Sequence, residues 1–180
     1  MINLRAVERD DLTLLKDMRN TPELKKYFRE YRLLNDKNQE QWFDNLTNDR
    51  TQCMFCIDGA ITKTLHVGYV NTGILCEDIE LVGACSLNNI NWVNRSAEFG
   101  IYIKPDKQGN GFAKEALTEL VKYGFNELNL HRIWGEVYSN NPALDFYKKF
   151  GFKVEGKLRD TYYYYGWHNS IIISILEGEK

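Results

Sequence analysis

No stretch of this 180-residue chain is apolar over the roughly twenty residues a helix needs to cross a bilayer. Its start, Met1-Ile2-Asn3-Leu4-Arg5, lacks the basic-then-apolar pattern of an export signal, so a soluble, cytoplasmic protein without a membrane partner is expected. There is no surplus of positive charge either. Lys and Arg number 23 against 25 Asp and Glu, a net charge of −2 that offers no field to hold a nucleic acid. Cysteine is sparse and poorly spaced for a metal: Cys53-x-x-Cys56 has no matching second pair, because Cys76 and Cys85 stand far apart, and the thiols read as reduced small hydrophobes. The histidines, His66, His131 and His168, are isolated from one another in sequence and form no constellation. What remains is ordinary globular composition, 43% hydrophobic and 27% charged, in a length that suits one domain over residues 1–180.

Residues 2–7 alternate apolar and polar and then meet Asp10-Asp11 ahead of Leu12, Leu15 and Met18, which predicts a strand and then a helix. Thr21-Pro22 starts a second helix, and a third follows Asp36 with Trp42, Phe43 and Leu46 on one face. Strand-like runs come next at 52–57, about 65–75, 79–90 and 96–103, punctuated by Asp58-Gly59, Asn71-Thr72-Gly73 and Asn94-Arg95, the spacing of a meander. From Phe112 the period turns helical, with Ala116, Leu117, Leu120, Val121 and Gly124 on one stripe. A strand follows from Arg132 to Tyr138; Asn140-Asn141-Pro142 opens a short helix that Gly151 ends, and strands near 152–165 and 168–177 close the domain. Strand, helix and strand over 96–138 make a βαβ unit whose two strands lie parallel, so the predicted class is α/β.

The stretch Gln108-Gly109-Asn110-Gly111-Phe112-Ala113 stands between a strand and a helix. Its small residues allow a tight turn that leaves backbone N–H groups uncovered at the positive end of a helix dipole, which is a phosphate-binding arrangement. The dinucleotide fingerprint and the P-loop both need spacings that are absent here. A phosphorylated ligand of another kind is expected.

Gln108-x-x-Gly111-x-Ala113 resembles the Arg/Gln-x-x-Gly-x-Gly/Ala signature with which acetyltransferases of the GNAT superfamily hold the pyrophosphate of coenzyme A. Asn140-x-x-Ala143-x-x-x-Tyr147-x-x-x-Gly151-Phe152 resembles the family's later segment, at the expected distance of one helix and one strand. Glu155-Gly156-x-Leu158-Arg159-Asp160 and Asn91-Trp92-x-Asn94-Arg95-x-Ala97-Glu98 are similar to the RimJ/RimL-like subgroup, the ribosomal-protein alanine acetyltransferases. Residues from about 80 to 177 carry the likeness.

The resemblance implies a mixed, mostly antiparallel sheet splayed in its centre with helices on both faces. It implies acetyl-CoA as co-substrate and no metal. The main chain at Ile101, Tyr102 and Ile103 would pair with the pantetheine arm, as an added strand does, and a backbone donor there would steady the oxyanion when an amine attacks the thioester. Gln108, Gly109, Asn110, Gly111, Phe112 and Ala113 would hold the pyrophosphate, and Asn140 and Ala143 the pantetheine, while Tyr147 would reach the sulfur. Tyr147 suits the general acid, since a phenol of pKa about 10 faces a thiolate whose conjugate acid lies near 8.5 on the cysteine model. Glu98, on the strand lining the cleft, is the candidate base, directly or through a water.

The partners expected are acetyl-CoA and a primary amine, the protein being a monomer or homodimer. A non-catalytic relative that only binds or senses coenzyme A is the alternative. Because no strong base stands in the motifs, an acceptor of low intrinsic pKa, a peptide N-terminus or an amino-sugar, is expected over a polyamine or lysine. Phe28-Arg29-Glu30-Tyr31-Arg32 reads equally as acceptor wall and as plain surface, and Tyr162 to Tyr165 with Trp167 read mainly as packing.

Overall fold

The computed structural model describes residues 1–66 and 73–179. Strand β1 (Ile2–Ala6) leads through a 3-10 turn to helices α1 (Leu12–Asn20), α2 (Pro22–Lys25) and α3 (Asp36–Asn48). Strands β2 (Cys53–His66), β3 (Gly73–Asn91) and β4 (Ser96–Ile103) precede α4 (Phe112–Lys122), which a π-turn extends over Tyr123–Glu127. Strand β5 (Arg132–Tyr138), helix α5 (Ala143–Phe150) and the pair β6 (Lys153–Tyr163) and β7 (Trp167–Leu176) complete the chain. One seven-stranded sheet has the order β1-β2-β3-β4-β5-β7-β6. Every neighbouring pair is antiparallel except β4 and β5. No helix among the described residues is long and apolar enough to cross a membrane.

Strand alternation divides the core between the two faces. On one side Ile57, Val82, Leu87, Phe99 and Ile133 meet the apolar stripe of α4, namely Ala116, Leu117, Leu120 and Val121. On the other, Val7, Leu12, Leu15, Met18 and Leu24 lie against Cys56, Leu81 and Ala84, with Tyr102 packed at the margin. Cys53 and Cys56 belong to opposite clusters, so their thiols face apart and make no half-site. Arg5 ties β1 to this second layer, donating to Asp11 on one side and Asp58 on the other at 2.6 to 2.8 Å.

Two sequence expectations change. Asp58-Gly59 is not a turn: β2 runs through it, with a register shift at Ile57/Asp58, and pairs with β3 as far as His66↔Gly73. Glycine is needed there because a Cβ would lie 2.9 Å from the Phe112 ring, a close approach that mimics a turn signal in sequence. The expected strand at 65–75 and that at 79–90 thus become parts of β2 and β3; Asn71 and Thr72 of the expected turn lie outside the described residues, as do the side chains of His66 and Cys76. The aromatics of the last hairpin are the second change. Tyr163, Tyr165 and Trp167 are 69%, 93% and 65% exposed: Tyr163 ends the edge strand β6, Tyr165 lies in the turn and Trp167 opens β7. Tyr162 stacks on Tyr138 at 3.7 Å and on His168 at 5.1 Å, while Tyr163 meets Trp167 and Tyr164 meets Tyr165 edge-on.

A side chain on Gly83 would collide with the carbonyl oxygen of Tyr102, a backbone atom fixed by the β3–β4 ladder, whereas one on Gly156 would meet nothing within 4 Å. Gly83→Ala should lower the unfolding free energy by about 1–3 kcal/mol and Gly156→Ala by under about 0.5 kcal/mol. Urea titration checks both, and equal effects would contradict the register.

Candidate active site

Strands β4 and β5 pair over only Ser96↔Arg132, Ala97↔Ile133 and Glu98↔Trp134. Beyond that point β4 continues to Ile103 against β3, and β5 continues to Tyr138 against β7. The two strands therefore fork, and among the described residues the β5-facing edge of 99–103, with Ile101, Tyr102 and Ile103, has no strand against it. A free strand edge of this kind accepts an extended ligand through main-chain hydrogen bonds.

From the end of β4 the chain turns through Pro105–Lys107 into the N-terminus of α4. Gly109 and Gly111 take φ of +81° and +86°, and a Cβ on either would meet nothing within 4 Å, so the turn is open to its surroundings. Gln108 and Asn110 serve the turn itself: Gln108 Nε2 donates to the Ile103 carbonyl at 3.1 Å, and Asn110 Nδ2 to those of Lys107 and Gln108 at 3.1 and 3.3 Å. Gly111 caps α4 with no side-chain acceptor, and among the described residues the N–H groups of 109–113 find no hydrogen-bond partner. A cavity of about 210 Å³ lies over them, bordered by Ile103, Lys107, Gly111, Phe112, Lys114 and Phe146. Exposed N–H donors, a helix dipole and two lysines at the rim are a fit for a pyrophosphate. The lysines carried no local motif and were missed in the sequence.

On the α4 side of the fork, Tyr147 is 8% exposed and packs by its ring edge on Phe99 at 5.1 Å, with Phe146 and Phe152 around it. Burial pushes its phenol well above the ordinary value, so it stays protonated. A side chain on Gly135 of β5 would lie 2.6 Å from the Phe99 ring, which therefore spans from β4 across to β5 just past the fork. Asn141 Oδ1 accepts from the Ala143 N–H at 2.9 Å and starts α5, while exposed Asn140 accepts from the Tyr162 hydroxyl and keeps its amide N–H₂ free.

The other side of the fork is charged. Glu98 is only 7% exposed, and Arg29, between α2 and α3, donates to its two oxygens at 2.6 and 3.3 Å. The same guanidinium reaches Glu136 of β5 at 3.1 Å. Asn89, held at φ 52° in a bulge of β3, donates to Glu98 from behind at 3.0 Å. Two carboxylates, one from each diverging strand, thus converge on one cation. A larger surface trough, about 700 Å³ along Lys157–Thr161, lies on exposed β6 away from all of this.

Residues 2–153 match the GNAT acetyltransferase domain family. The chain belongs to that family. GNAT membership makes it an enzyme that carries an acetyl group from acetyl-CoA to a primary amine, and the non-catalytic alternative lapses. Two relatives are the spermidine N(1)-acetyltransferases of Escherichia coli K12, 30% identical over 99% of this chain and 87% of that one, and of Vibrio cholerae, 29% identical over 94% and 89%. The crystal structure of the spermidine N-acetyltransferase from Vibrio cholerae in complex with CoA and spermine superposes with a TM-score of 0.83 at 29% identity, covering 99% of this chain and 96% of that one. These two relatives are not of the ribosomal-protein subgroup that the segments around Glu98 and Glu155 suggested, while a putative ribosomal N-acetyltransferase of Bacillus subtilis is 35% identical over 64% of this chain and 63% of that one.

If the 109–113 turn holds the donor, Gly111→Glu should abolish the rise in melting temperature that acetyl-CoA gives the wild type, because it puts a carboxylate into the anion nest. A thermal-shift series checks this. A rise equal to that of wild type would remove the donor-site assignment.

Proposed function

We propose that the acceptor is a small polyamine of the spermidine kind, and that it enters the fork from the Arg29 side while acetyl-CoA lies along the opposite edge of β4. The observation that carries this reading is the convergence of Glu98 and Glu136 on a single cation where β4 and β5 part. Nothing local links those residues in sequence, yet the fold gives them the geometry of an ammonium site: two anionic acceptors, one of them buried. The printed substrates of the relatives are polyamines, which agrees.

The low-pKa acceptor expected from sequence rested on the lack of a strong base in the motifs. An amine of pKa about 10 reaches neutral solution almost wholly as ammonium. A carboxylate pair turns that from an obstacle into a binding force, provided the proton is then removed in place. Glu98 is the base in this reading, directly or through a water, and Glu136 keeps the site anionic while the proton moves. Acetyl-CoA supplies the activated acetyl group. The chain's own part is to bind, align and manage two protons: the open edge of residues 101–103 orients the pantetheine, the N–H groups of 109–113 the pyrophosphate, and Asn140 with its free amide donor the arm's polar groups. Tyr147, at the aromatic side of the fork, returns a proton to the departing sulfur.

Tyr147→Phe should cut kcat by about a hundredfold, the lower end of what general acids contribute, with the KM for acetyl-CoA changed less than about threefold. Because burial raises the Tyr147 pKa, the protonated form persists past the ordinary value, and kcat should show no alkaline fall below about pH 10. Full activity in the Phe variant excludes the acid role. Substrate class is read from a panel at pH 7.5: kcat/KM for spermidine should exceed that for glucosamine and for a peptide with a free N-terminus. A faster peptide would return the enzyme to the ribosomal-protein type.

A further inference from the structure

We infer that Arg29 is a built-in competitor for the acceptor's ammonium subsite, a positioning residue whose guanidinium must leave Glu98 and Glu136 before a cationic amine can dock there. The inference rests on the proposed role of those carboxylates and concerns what sets their affinity.

Arg29 differs from its partners in how it is held. Glu98 is buried on β4 and Glu136 largely so on β5, both rigid strands, and Asn89 supports Glu98 independently of Arg29. The Arg29 side chain is 55% exposed and belongs to a bend without helix or strand between α2 and α3. Its neighbour Phe28 anchors that bend, stacked edge-on against Tyr102 at 5.4 Å with Arg19 over its ring at 4.9 Å. The guanidinium can therefore swing out about its own side-chain torsions without moving the backbone. The carboxylates would then present one buried and one largely buried acceptor group, and an incoming ammonium restores the charge balance that the guanidinium supplied. Two anions facing one fixed cation also leave a net negative charge, which draws a second cation toward the fork and assists the exchange.

Lys25, Lys26 and Arg32 lie in the same segment against Glu23 and Glu30, and Glu30 is committed to Arg32 at 2.7 Å, so the acceptor approaches past a small excess of positive charge. A weak monocation gains too little from two carboxylates to displace a bidentate guanidinium. A polycation, with further ammonium groups for the residual negative charge, gains more. Arg29 thereby sets an affinity threshold that selects among amines.

The test is Arg29→Gln in the full chain. Charge-assisted hydrogen bonds of this type correspond to about tenfold or more in an equilibrium constant, so both the spermidine Kd, measured by calorimetry on the CoA-bound protein, and its KM should fall about tenfold. The KM for acetyl-CoA should not move. A spermidine Kd that is unchanged or weaker overturns the inference, since a structural strut or a substrate ligand at position 29 gives those results. Arg29→Lys keeps a charge but engages one carboxylate at a time, and an intermediate drop of about threefold decides the matter should the Gln variant not fold. If the wild type acetylates a peptide N-terminus and no polyamine, the polyamine reading fails; the same Kd ratio, measured with that peptide, still upholds or overturns the role of Arg29. Absence of any amine binding in either protein overturns both.

Discussion

The termination of β4–β5 pairing at Glu98↔Trp134 is the constraint on which the rest of the site depends. A parallel pair in the centre of a sheet normally continues to the strand ends, because every unpaired N–H and C=O there forfeits a hydrogen bond. Here each strand keeps its outer neighbour and gives up the inner one. The gap is held from both faces. On one, Phe99 leans across to Gly135 and is backed by Tyr147 and Phe152. On the other, Arg29 bridges Glu98 and Glu136 across the opening. The backbone groups left on β4 are what supports the proposed seat of a strand-like ligand there.

The two faces of the fork also differ in what they do to a proton. On the aromatic side, desolvation acts on phenol and thiol in the same sense, disfavouring the anion of each. The protein displays the effect on its own thiols: burial pushes Cys56 up to about 12. In the proposed acid role, Tyr147 would face a thiol that desolvation shifts in the same sense as its own phenol. On the charged side, Arg29 gains proton affinity chiefly from its hydrogen bonds to Glu98, and the pair is locked as an ion pair until something replaces the guanidinium. The proposed acid and the proposed base thus lie on opposite faces of the sheet.

Much of this was legible in the sequence, for reasons that differ by element. β4, α4, β5 and α5 declare themselves through periodicity and through caps that local chemistry requires, Gly111 at one helix start and Gly151, at φ 125°, at one helix end. The turn at 108–113 and Tyr147 were singled out because their spacing is itself the signal. Asp58-Gly59 misled because a glycine admitted for the Phe112 ring looks the same as one admitted for a turn. The exposed hairpin aromatics misled because alternation says that a strand has two faces, and not whether either is covered. Glu136 escaped notice and Arg29 stayed one residue in an ambiguous wall, since they meet Glu98 only through the fold, Arg29 standing 69 positions from Glu98 and 107 from Glu136. Contacts of that range leave no periodic trace.

The central claim, that the inner edge of β4 is the donor-binding edge, is tested most directly by backbone amide hydrogen exchange with and without coenzyme A. The account predicts that the cleft-facing amides within residues 99–103 and those of 109–113 become protected on binding, while amides of β6 exchange as before. Protection confined to other segments, with 99–103 and 109–113 unchanged at saturating coenzyme A, would contradict it.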